Sequence, residues 1–222
     1  PPYDLNVSDT TRFRLWRDEF DRFVKSGTLP RFQIIRLPND HTAGTRKNMP
    51  TPRAMVAEND LALGMMVEHI SRSPIWKASA IFVVEDDAQN GPAHVDAPRM
   101  IGLVISPFAK RHFVDSRMYS TTSVLRSMEL ILGLPPMTQF DAAALPMFAS
   151  FTEQPNFEPY LCRPANIHLK EMNKEMAYGQ QRSDEMNLAK EDAIPDVEFN
   201  EIIWKSIHGA DSEMPAPVRS AF

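Results

Sequence analysis

Acidic, amide and imidazole side chains cluster at two places in the sequence, each directly after a short apolar segment. The members of the two clusters are Asn39, Asp40 and His41 in the first, and Asp86, Asp87 and His94 in the second. Neighbouring carboxylates repel one another unless water or a positive charge lies between them. Oxygen and nitrogen ligands of these types bind divalent cations such as zinc, manganese and iron. One hypothesis is therefore a metal ion that neutralises the clustered carboxylates.

A second interpretation of the same residues is purely structural. Asp, Asn and His are common turn residues, because their short polar side chains form hydrogen bonds with the nearby backbone. Asn39 and Asp40 alone are typical of a turn, and Asp86 and Asp87 alone are compatible with solvated carboxylates at a strand end. His94 on its own is compatible with a hydrogen-bonded loop histidine. Only the metal hypothesis requires the two clusters to meet.

Apolar segments alternate with segments of helical periodicity around these clusters. Predicted strands cover 31–37, 78–85 and 100–107, and predicted helices run from near 9 to 27, from 54 to 71 and from 119 to 133. A strand that is apolar on both faces is expected in a sheet that helices cover on both sides. We therefore predict an α/β fold, an α/β/α sandwich with a mainly parallel sheet. Ligands bind outside the carboxyl ends of the strands in such sheets, so we expect the two clusters to meet at one edge.

Composition excludes several classes of partner and site. The chain has 222 residues, of which 43% are apolar, and this is enough for a sizeable buried core. Its 24 basic and 29 acidic residues give a net charge of −5, so no basic excess is available to neutralise the phosphates of a nucleic acid. The single cysteine, Cys162, excludes an internal disulfide and a cysteine-based zinc site. No apolar run approaches the ~20 residues that a membrane-spanning helix needs.

The sequence changes character towards its C-terminus. Residues 1–165 are predicted to belong to one α/β domain. Residues 166–222 are charged and show weak helical patterns at 187–191 and 197–207. We interpret this second part as a partly helical extension that lies over the domain, with residues 215–222 expected to fray.

Four segments, in the same order along the chain, carry a family resemblance. They read IRLPNDHTAGT (35–45), IFVVEDDAQNGPAHVDAPR (81–99), IGLVISPFAKR (101–111) and VDSRMYSTTSVLRSMELILGLPPMTQFDAAALPMFASF (114–151). Between residues 31 and 151 the chain resembles the bacterial phosphoesterase family, which belongs to the alkaline phosphatase superfamily. That family includes phospholipase C-like and acid phosphatase-like enzymes. The chain is most similar to a subgroup that is often fused to a β-propeller domain.

The resemblance implies a metal-dependent phosphoester hydrolase with the alkaline phosphatase-like sandwich fold. By similarity, Asp86 and Asp87 bind the metal, and Asp40 and His41 complete the metal site or contact the phosphate. His94 is expected to contact the phosphoester substrate. The ligand types admit zinc, manganese, iron or calcium as the divalent ion. A periplasmic or secreted location is implied by the resemblance alone.

Three departures from the family pattern leave two alternatives for function. Ala93 stands where family members have an acid, Pro98 stands where the subgroup has a histidine, and no segment before residue 31 resembles the region that supplies the Ser or Thr nucleophile. One alternative is the C-terminal half of a catalytic domain, inactive alone. The apolar edge of such a half-sheet would need a partner, either the N-terminal half or a second copy of the chain. The other alternative is a degenerate, non-catalytic module that retains the fold for binding or assembly.

Overall fold

The computed structural model describes residues 3–86, 100–190 and 193–216, and helices make up most of its regular structure. The helices are α1 (Asp9–Ser26), α2 (Pro52–Ser71), α3 (Thr121–Leu132), α4 (Gln139–Ala143), α5 (Gln180–Glu185) and α6 (Asp196–His208), and the strands are β1 (Ile81–Val84) and β2 (Gly102–Ile105). Short 3-10 turns lie at Pro38–His41, Trp76–Ala78 and Phe148–Ser150. The combination of helices with a small sheet agrees with the predicted α/β class at a coarse level.

The described residues form two compact units. The first unit contains residues 3–69, 161–190 and 193–216, and the second unit contains residues 70–86 and 100–160. Helices α1, α5 and α6 belong to the first unit, and both strands with α3 and α4 belong to the second. Within these ranges, no helix is long and apolar enough to cross a membrane.

Helix α1 is specified by its two ends and by its buried aromatic residues. Ser8 precedes the helix, and its hydroxyl accepts the backbone N–H of Thr11 at 3.2 Å, which caps the first turn. Gly27 ends the helix in the left-handed conformation, with a φ of 70°. Phe13 and Phe20 are buried on one face. The predicted start near residue 9 and the predicted end at Gly27 are confirmed.

The two strands lie where the sequence predicts them but do not pair as predicted. β1 and β2 are antiparallel, with Ile81 opposite Ile105, so the predicted parallel arrangement is wrong for this pair. A parallel pair needs a crossover connection, which is usually a helix. The sequence that joins β1 to β2 contains Pro92 and Pro98 and shows no helical pattern, so the sequence itself predicts no crossover helix between them.

Two further features of the predicted sheet differ from the structure. Residues 31–37 form no regular strand and pair with none in the described ranges, and Ile34 is 84% exposed. Val84 and Leu103 also remain partly exposed, so helices do not cover both faces of the small sheet. β-Branched residues favour a strand only where a neighbouring strand and a covering layer provide contacts. The described residues therefore do not confirm the predicted parallel sandwich.

A buried apolar core joins the beginning, the middle and the end of the first unit. Its members are Leu5, Ala43, Met55, Met186, Leu188, Phe199 and Ile202. The helix predicted at 197–207 is confirmed as α6. The helix predicted at 187–191 is wrong, because α5 ends at Glu185 and residues 187–190 form a turn. Met186 and Leu188 both reach the core from this non-helical segment, and their spacing of two residues does not fit one face of a helix.

Candidate functional site

Different parts of the structure hold the site residues that the sequence predicts. Asp40 and His41 lie in the 3-10 turn that ends at His41, in the first unit, and Asp86 lies two residues after the end of β1, in the second unit. Asp87 and His94 lie outside the described residues. In the part of the chain that is described, no three His, Cys, Asp or Glu side chains are grouped so that they could hold a metal ion. The meeting of the two clusters therefore stays a prediction.

Asp40 is exposed at the surface, and a side chain of α2 holds the turn that carries it. Asn59 on α2 lies within reach of the Asp40 carboxylate, with 3.5 Å between Asn59 Nδ2 and Asp40 Oδ1. The same amide nitrogen donates to the carbonyl oxygen of Leu37 at 2.8 Å and to Oδ2 of Asp9 at 3.0 Å. One α2 side chain thus fixes the beginning of the turn relative to the helix.

Asp9 is a fully buried carboxylate beneath the turn. Its Oδ2 accepts the backbone N–H of Asn39 at 2.9 Å, and its Oδ1 forms an ion pair with Arg12 at 3.2 Å. Burial raises the pKa of the Asp9 carboxyl, and the hydrogen bond from Asn39 opposes that rise. The carboxylate therefore fixes the backbone immediately before Asp40.

Glu58, the neighbour of Asn59 on α2, connects α1 to the turn. Its carboxylate accepts the backbone N–H groups of Asp9 and Thr10 at 2.9 and 2.7 Å, where the start of α1 leaves donors unpaired. It also accepts the Nδ2 group of Asn39 at 3.3 Å. The Oδ1 atom of Asn39 is buried and has no hydrogen-bond partner among the described residues. Buried acceptors are normally satisfied, so this atom is suited to bind an ion or a water molecule.

His41 is half-buried, and its ring is fixed by three contacts. Its Nδ1 atom lies 3.0 Å from the carbonyl oxygen of Thr42. A carbonyl only accepts hydrogen bonds, so Nδ1 carries the proton and the lone pair lies on Nε2. The rings of Tyr3 and Phe199 contact the imidazole at centroid distances of 5.8 and 5.4 Å. Metal-binding histidines usually donate their other ring N–H to a carbonyl or carboxylate in this way.

Thr42, directly after His41, has a strained backbone. Its φ of 63° and ψ of 173° lie in a region that glycine adopts readily and β-branched residues adopt rarely. Thr42 is buried, and its Oγ1 accepts the N–H of Gly44 at 3.2 Å. Strained residues persist where surrounding contacts hold them, and they concentrate at functional sites. This strain distinguishes the loop from an ordinary polar turn.

The acids that follow β1 in the second unit have different surroundings. Glu85 accepts the backbone N–H of Ile101 through Oε2 at 3.4 Å, next to the start of the partner strand. Asp86 is exposed at the same end of the small sheet. Glu85 therefore helps to close the strand pair, and Asp86 remains the candidate ligand.

The second unit also contains a groove of about 560 Å³ beside the start of α3. Its lining residues are Met118, Ser120, Thr122, Ser123, Gln139, Phe140, Ala143, Ala144 and Leu145. Ser120 Oγ lies 2.7 Å from Thr122 Oγ1, and Ser123 Oγ accepts the Ser120 N–H at 3.2 Å. These hydroxyls cap the helix, and a nucleophilic hydroxyl needs an adjacent base that this lining does not contain.

Three residues that hold the Asp40 turn are not identified by the sequence reasoning. Asp9 resembles a simple helix cap in the sequence, and Glu58 and Asn59 resemble the solvated face of α2. Their role depends on a contact between α1, α2 and the turn, which no local pattern encodes. One available indication is the polar run at 58–60 in the middle of a helix that is mainly apolar on both sides of it.

The described residues of the first cluster suit a divalent cation. Asp40 offers a carboxylate at the surface, His41 offers the lone pair of Nε2, and Asn39 offers a buried oxygen without a partner. Nitrogen and carboxylate ligands suit zinc, manganese and iron, whereas oxygen ligands alone suit calcium. The chemistry of this donor set therefore agrees with the predicted cofactor.

Comparison with protein families gives a match that includes the residues of the first cluster. The profile of the phosphoesterase family matches residues 2–135, which is more than half of the chain. The chain belongs to the phosphoesterase family. Membership of the phosphoesterase family indicates phosphoester hydrolysis as its class of chemistry, and it supports the resemblance found in the sequence. A search of curated proteins gives no match.

The phosphoesterase match covers only the N-terminal part of the first unit, residues 3–69, and not its C-terminal residues from 161 onwards. All of the predicted site residues lie within residues 2–135, as does the network of Asp9, Glu58 and Asn59. Helices α5 and α6 lie beyond the matched residues, yet Phe199 on α6 contacts His41. The surroundings of His41 thus include residues that the family match does not cover.

Proposed function

We propose that this chain provides the metal-binding and phosphate-binding residues of a metal-dependent phosphoester hydrolase. Asp40, His41, Asp86 and Asp87 hold a divalent ion, and His94 contacts the phosphoryl group of the substrate. The observation that carries the proposal is the hydrogen bond made by the His41 ring. Its Nδ1 is bonded to a backbone carbonyl, which leaves the Nε2 lone pair available as a ligand, and Asp40 is the neighbouring residue in the sequence.

The proposed roles follow from the charge that develops during phosphoryl transfer. A bound divalent ion polarises the phosphoryl oxygens, lowers the pKa of an attacking hydroxyl and stabilises the leaving oxygen. The carboxylates of Asp40, Asp86 and Asp87 bind the metal ion, and the positive charge of the ion offsets the repulsion between these carboxylates. His94 donates a hydrogen bond to a phosphoryl oxygen, where negative charge is spread in the transition state.

The wider organisation is proposed from the family resemblance. A Ser or Thr nucleophile comes from sequence outside these 222 residues. Residues 1–165 then form the C-terminal half of an alkaline phosphatase-like α/β/α sandwich with a mainly parallel sheet, and residues 166–222 form its extension. The exposed segment 31–37 would gain strand partners from the other half or from a second copy of the chain. The subgroup resemblance adds a fused β-propeller and a periplasmic or secreted location.

A second candidate function is a non-catalytic binding or assembly module. Ala93 in place of an acid and Pro98 in place of a histidine favour this alternative, because both changes remove polar groups near His94 in the sequence, one directly before it and one four residues after it. The two candidates differ in one measurable property. Only the hydrolase turns over a phosphoester when the nucleophile and the metal are both present.

Hydrolysis of p-nitrophenyl phosphate and bis(p-nitrophenyl) phosphate tests the proposed activity. The 222-residue chain and a longer natural form that includes upstream sequence are assayed with zinc, manganese, iron or calcium, and again with a chelator. We expect metal-dependent turnover by the longer form and none by the chain alone. If the longer form gives no turnover with any of these metals, the catalytic proposal is wrong and the non-catalytic module is favoured.

Metal uptake tests the ligand assignment separately from turnover. Asp86→Asn removes one carboxylate charge and keeps the side-chain size, and we expect it to lower metal affinity by about tenfold or more. Glu85→Gln is the matched control, because it removes the neighbouring charge from a side chain that bonds to Ile101. Equal metal affinity in the two variants would remove Asp86 from the site.

A further inference from the structure

A residue near the C-terminus holds the ring of His41. Phe199 on α6 lies against the imidazole with a centroid distance of 5.4 Å and an interplanar angle of 33°. We infer that Phe199 is a positioning residue for His41, so that the C-terminal part of the first unit is a functional part of the site. The inference rests on the proposed function, since it concerns the orientation of a proposed metal ligand.

Phe199 is itself held firmly. Its side chain is only 1% exposed, and it belongs to the core with Met186, Leu188 and Ile202. A ring packed in such a core cannot move away without opening a cavity, which is energetically costly. Phe199 therefore presents a fixed surface to the imidazole.

The backbone that follows His41 is bound to the same C-terminal part. Ser183 Oγ accepts the N–H of Thr45 at 3.2 Å, and the carbonyl of Tyr178 accepts the Thr45 hydroxyl at 2.8 Å. Gln180 Nε2 donates to the Thr45 carbonyl at 3.3 Å. Thr45 is almost fully buried by these contacts. The loop is therefore fixed at Thr45 as well as at the His41 ring.

Gly44 shows how closely the loop approaches α6. Its φ is 57°, and a Cβ atom placed there would lie 2.9 Å from Phe199 Cε2 and 2.8 Å from Ser183 Oγ. Only glycine fits both the conformation and the space. Asn173 adds a hydrogen bond from Nδ2 to the Gly44 carbonyl at 3.2 Å. The position of the loop therefore depends on the C-terminal residues over several consecutive positions.

This arrangement has a consequence for metal affinity. The hydrogen bond to Thr42 sets which nitrogen of His41 carries the proton, and the Phe199 ring restricts rotation of the imidazole plane. Without Phe199 the imidazole gains rotational freedom, which a bound metal must remove at an entropic cost. Loss of contacts that orient a ligand lowers metal affinity by about 10- to 100-fold.

Nitrogen chemical shifts of His41 in the wild-type chain test the geometry without metal. We expect the neutral imidazole to carry its proton on Nδ1, because the Thr42 carbonyl lies 3.0 Å from that nitrogen. If the wild-type chain instead carries the proton on Nε2, or is a mixture of the Nδ1 and Nε2 tautomers, the inference is wrong. This measurement does not depend on the proposed function.

Two core substitutions on α6 test the role of Phe199 in metal binding. Phe199→Leu removes the ring next to His41, and Ile202→Ala removes a comparable part of the same core where it packs against Gly179. Zinc affinity is measured by calorimetry, and thermal stability is measured alongside. We expect Phe199→Leu to lower zinc affinity by about tenfold and to mix the two ring forms of His41. We expect Ile202→Ala to keep the wild-type zinc affinity and the wild-type ring form of His41, even if it is destabilised as much as Phe199→Leu.

The possible outcomes separate this inference from the proposed function. A folded Phe199→Leu variant with wild-type zinc affinity and wild-type His41 nitrogen shifts overturns the inference. If Phe199→Leu does not fold, Phe199→Met fills the same space with a flexible side chain and is judged by the same criteria. If His41→Gln leaves zinc affinity unchanged, the proposed function fails at this residue. The His41 shifts in the Phe199 variant then still decide whether Phe199 positions the ring.

Discussion

Thr42 has a backbone conformation that its residue type rarely adopts. It is β-branched and buried, yet its φ is 63°, directly beside the proposed ligand His41. The hydrogen bonds from His41 to the Thr42 carbonyl and from Gly44 to the Thr42 hydroxyl hold this conformation. The backbone strain at Thr42 is therefore linked directly to the orientation of His41.

Replacing Thr42 with glycine and with alanine separates backbone strain from side-chain contacts. Both variants remove the hydroxyl that accepts the Gly44 N–H, but only glycine adopts this φ without strain. We expect Thr42→Gly to have a higher free energy of unfolding than Thr42→Ala by about 1 kcal/mol, the reverse of the usual order. Urea denaturation at equilibrium measures the difference. A more stable alanine variant would contradict the strained conformation.

Asp9 predicts a dependence of stability on pH. Burial raises the pKa of its carboxyl in the folded chain above the value of about 3.9 that is expected when the chain is unfolded. Between these two pKa values the folded chain binds more protons than the unfolded chain. The contribution of this carboxyl to stability is therefore present at low pH and is lost as the pH rises through the raised pKa.

The variant Asp9→Asn tests this pH dependence, because it removes the titration and keeps a carbonyl oxygen for the Asn39 N–H. We expect the free energy of unfolding of the wild type, relative to Asp9→Asn, to fall as the pH is raised from about 4. Chemical denaturation of both chains with a chelator present, at a series of pH values, measures this difference. A difference that stays constant or rises with pH would show that the Asp9 pKa is not raised.

Residue types and spacing reveal the candidate ligands but not the residues that hold them. Asp40, His41 and Asp86 stand out because polar groups follow apolar segments, a pattern that is local in the sequence. Asp9 and Asn59 bind the turn from two helices that are distant in the sequence. Sequence patterns do not encode such contacts, because they arise only when the helices pack.

Helices are predicted well here because their determinants are local. Ser8 and Gly27 at the ends of α1 act within a few residues, and the same holds for Gly133 after α3. Strand pairing is predicted poorly because it depends on what lies beside the strand. Residues 31–37 have strand composition but no strand partner in the described ranges, and β1 and β2 pair in the opposite sense to that expected.

Gly44 and Gly27 form a matched pair for measuring how tightly the His41 loop packs against α6. Both have a positive φ, 57° and 70°, so alanine strains the backbone at either position. A Cβ at Gly27 meets nothing within 4 Å, whereas a Cβ at Gly44 meets Phe199 and Ser183. We expect Gly44→Ala to lose about 2 kcal/mol more stability than Gly27→Ala, from overpacking. Equal losses in urea denaturation would mean that the loop does not approach α6 this closely.

At the scale of the whole molecule, the phosphoesterase match and the compact units have different boundaries. The match covers residues 2–135, whereas the first unit draws on residues 3–69 and on the C-terminal residues from 161. The core that includes Ala43, Met55 and Phe199 joins these two parts. Sequence reasoning treats the C-terminal residues as an extension that lies over a domain. The structure places α6 in the core beside a candidate ligand, because Phe199 and Ile202 are buried there.

Anomalous diffraction from crystals grown with zinc or manganese tests most directly whether the two acidic clusters share one ion. We expect a single anomalous peak with Nε2 of His41 and a carboxylate oxygen of Asp86 both about 2.0–2.2 Å from it. Crystals of the Asp86→Asn variant, grown in the same way, should show a weaker peak at that position. A structure in which His41 and Asp86 bind different ions, or in which neither binds an ion, would rule out a shared metal site.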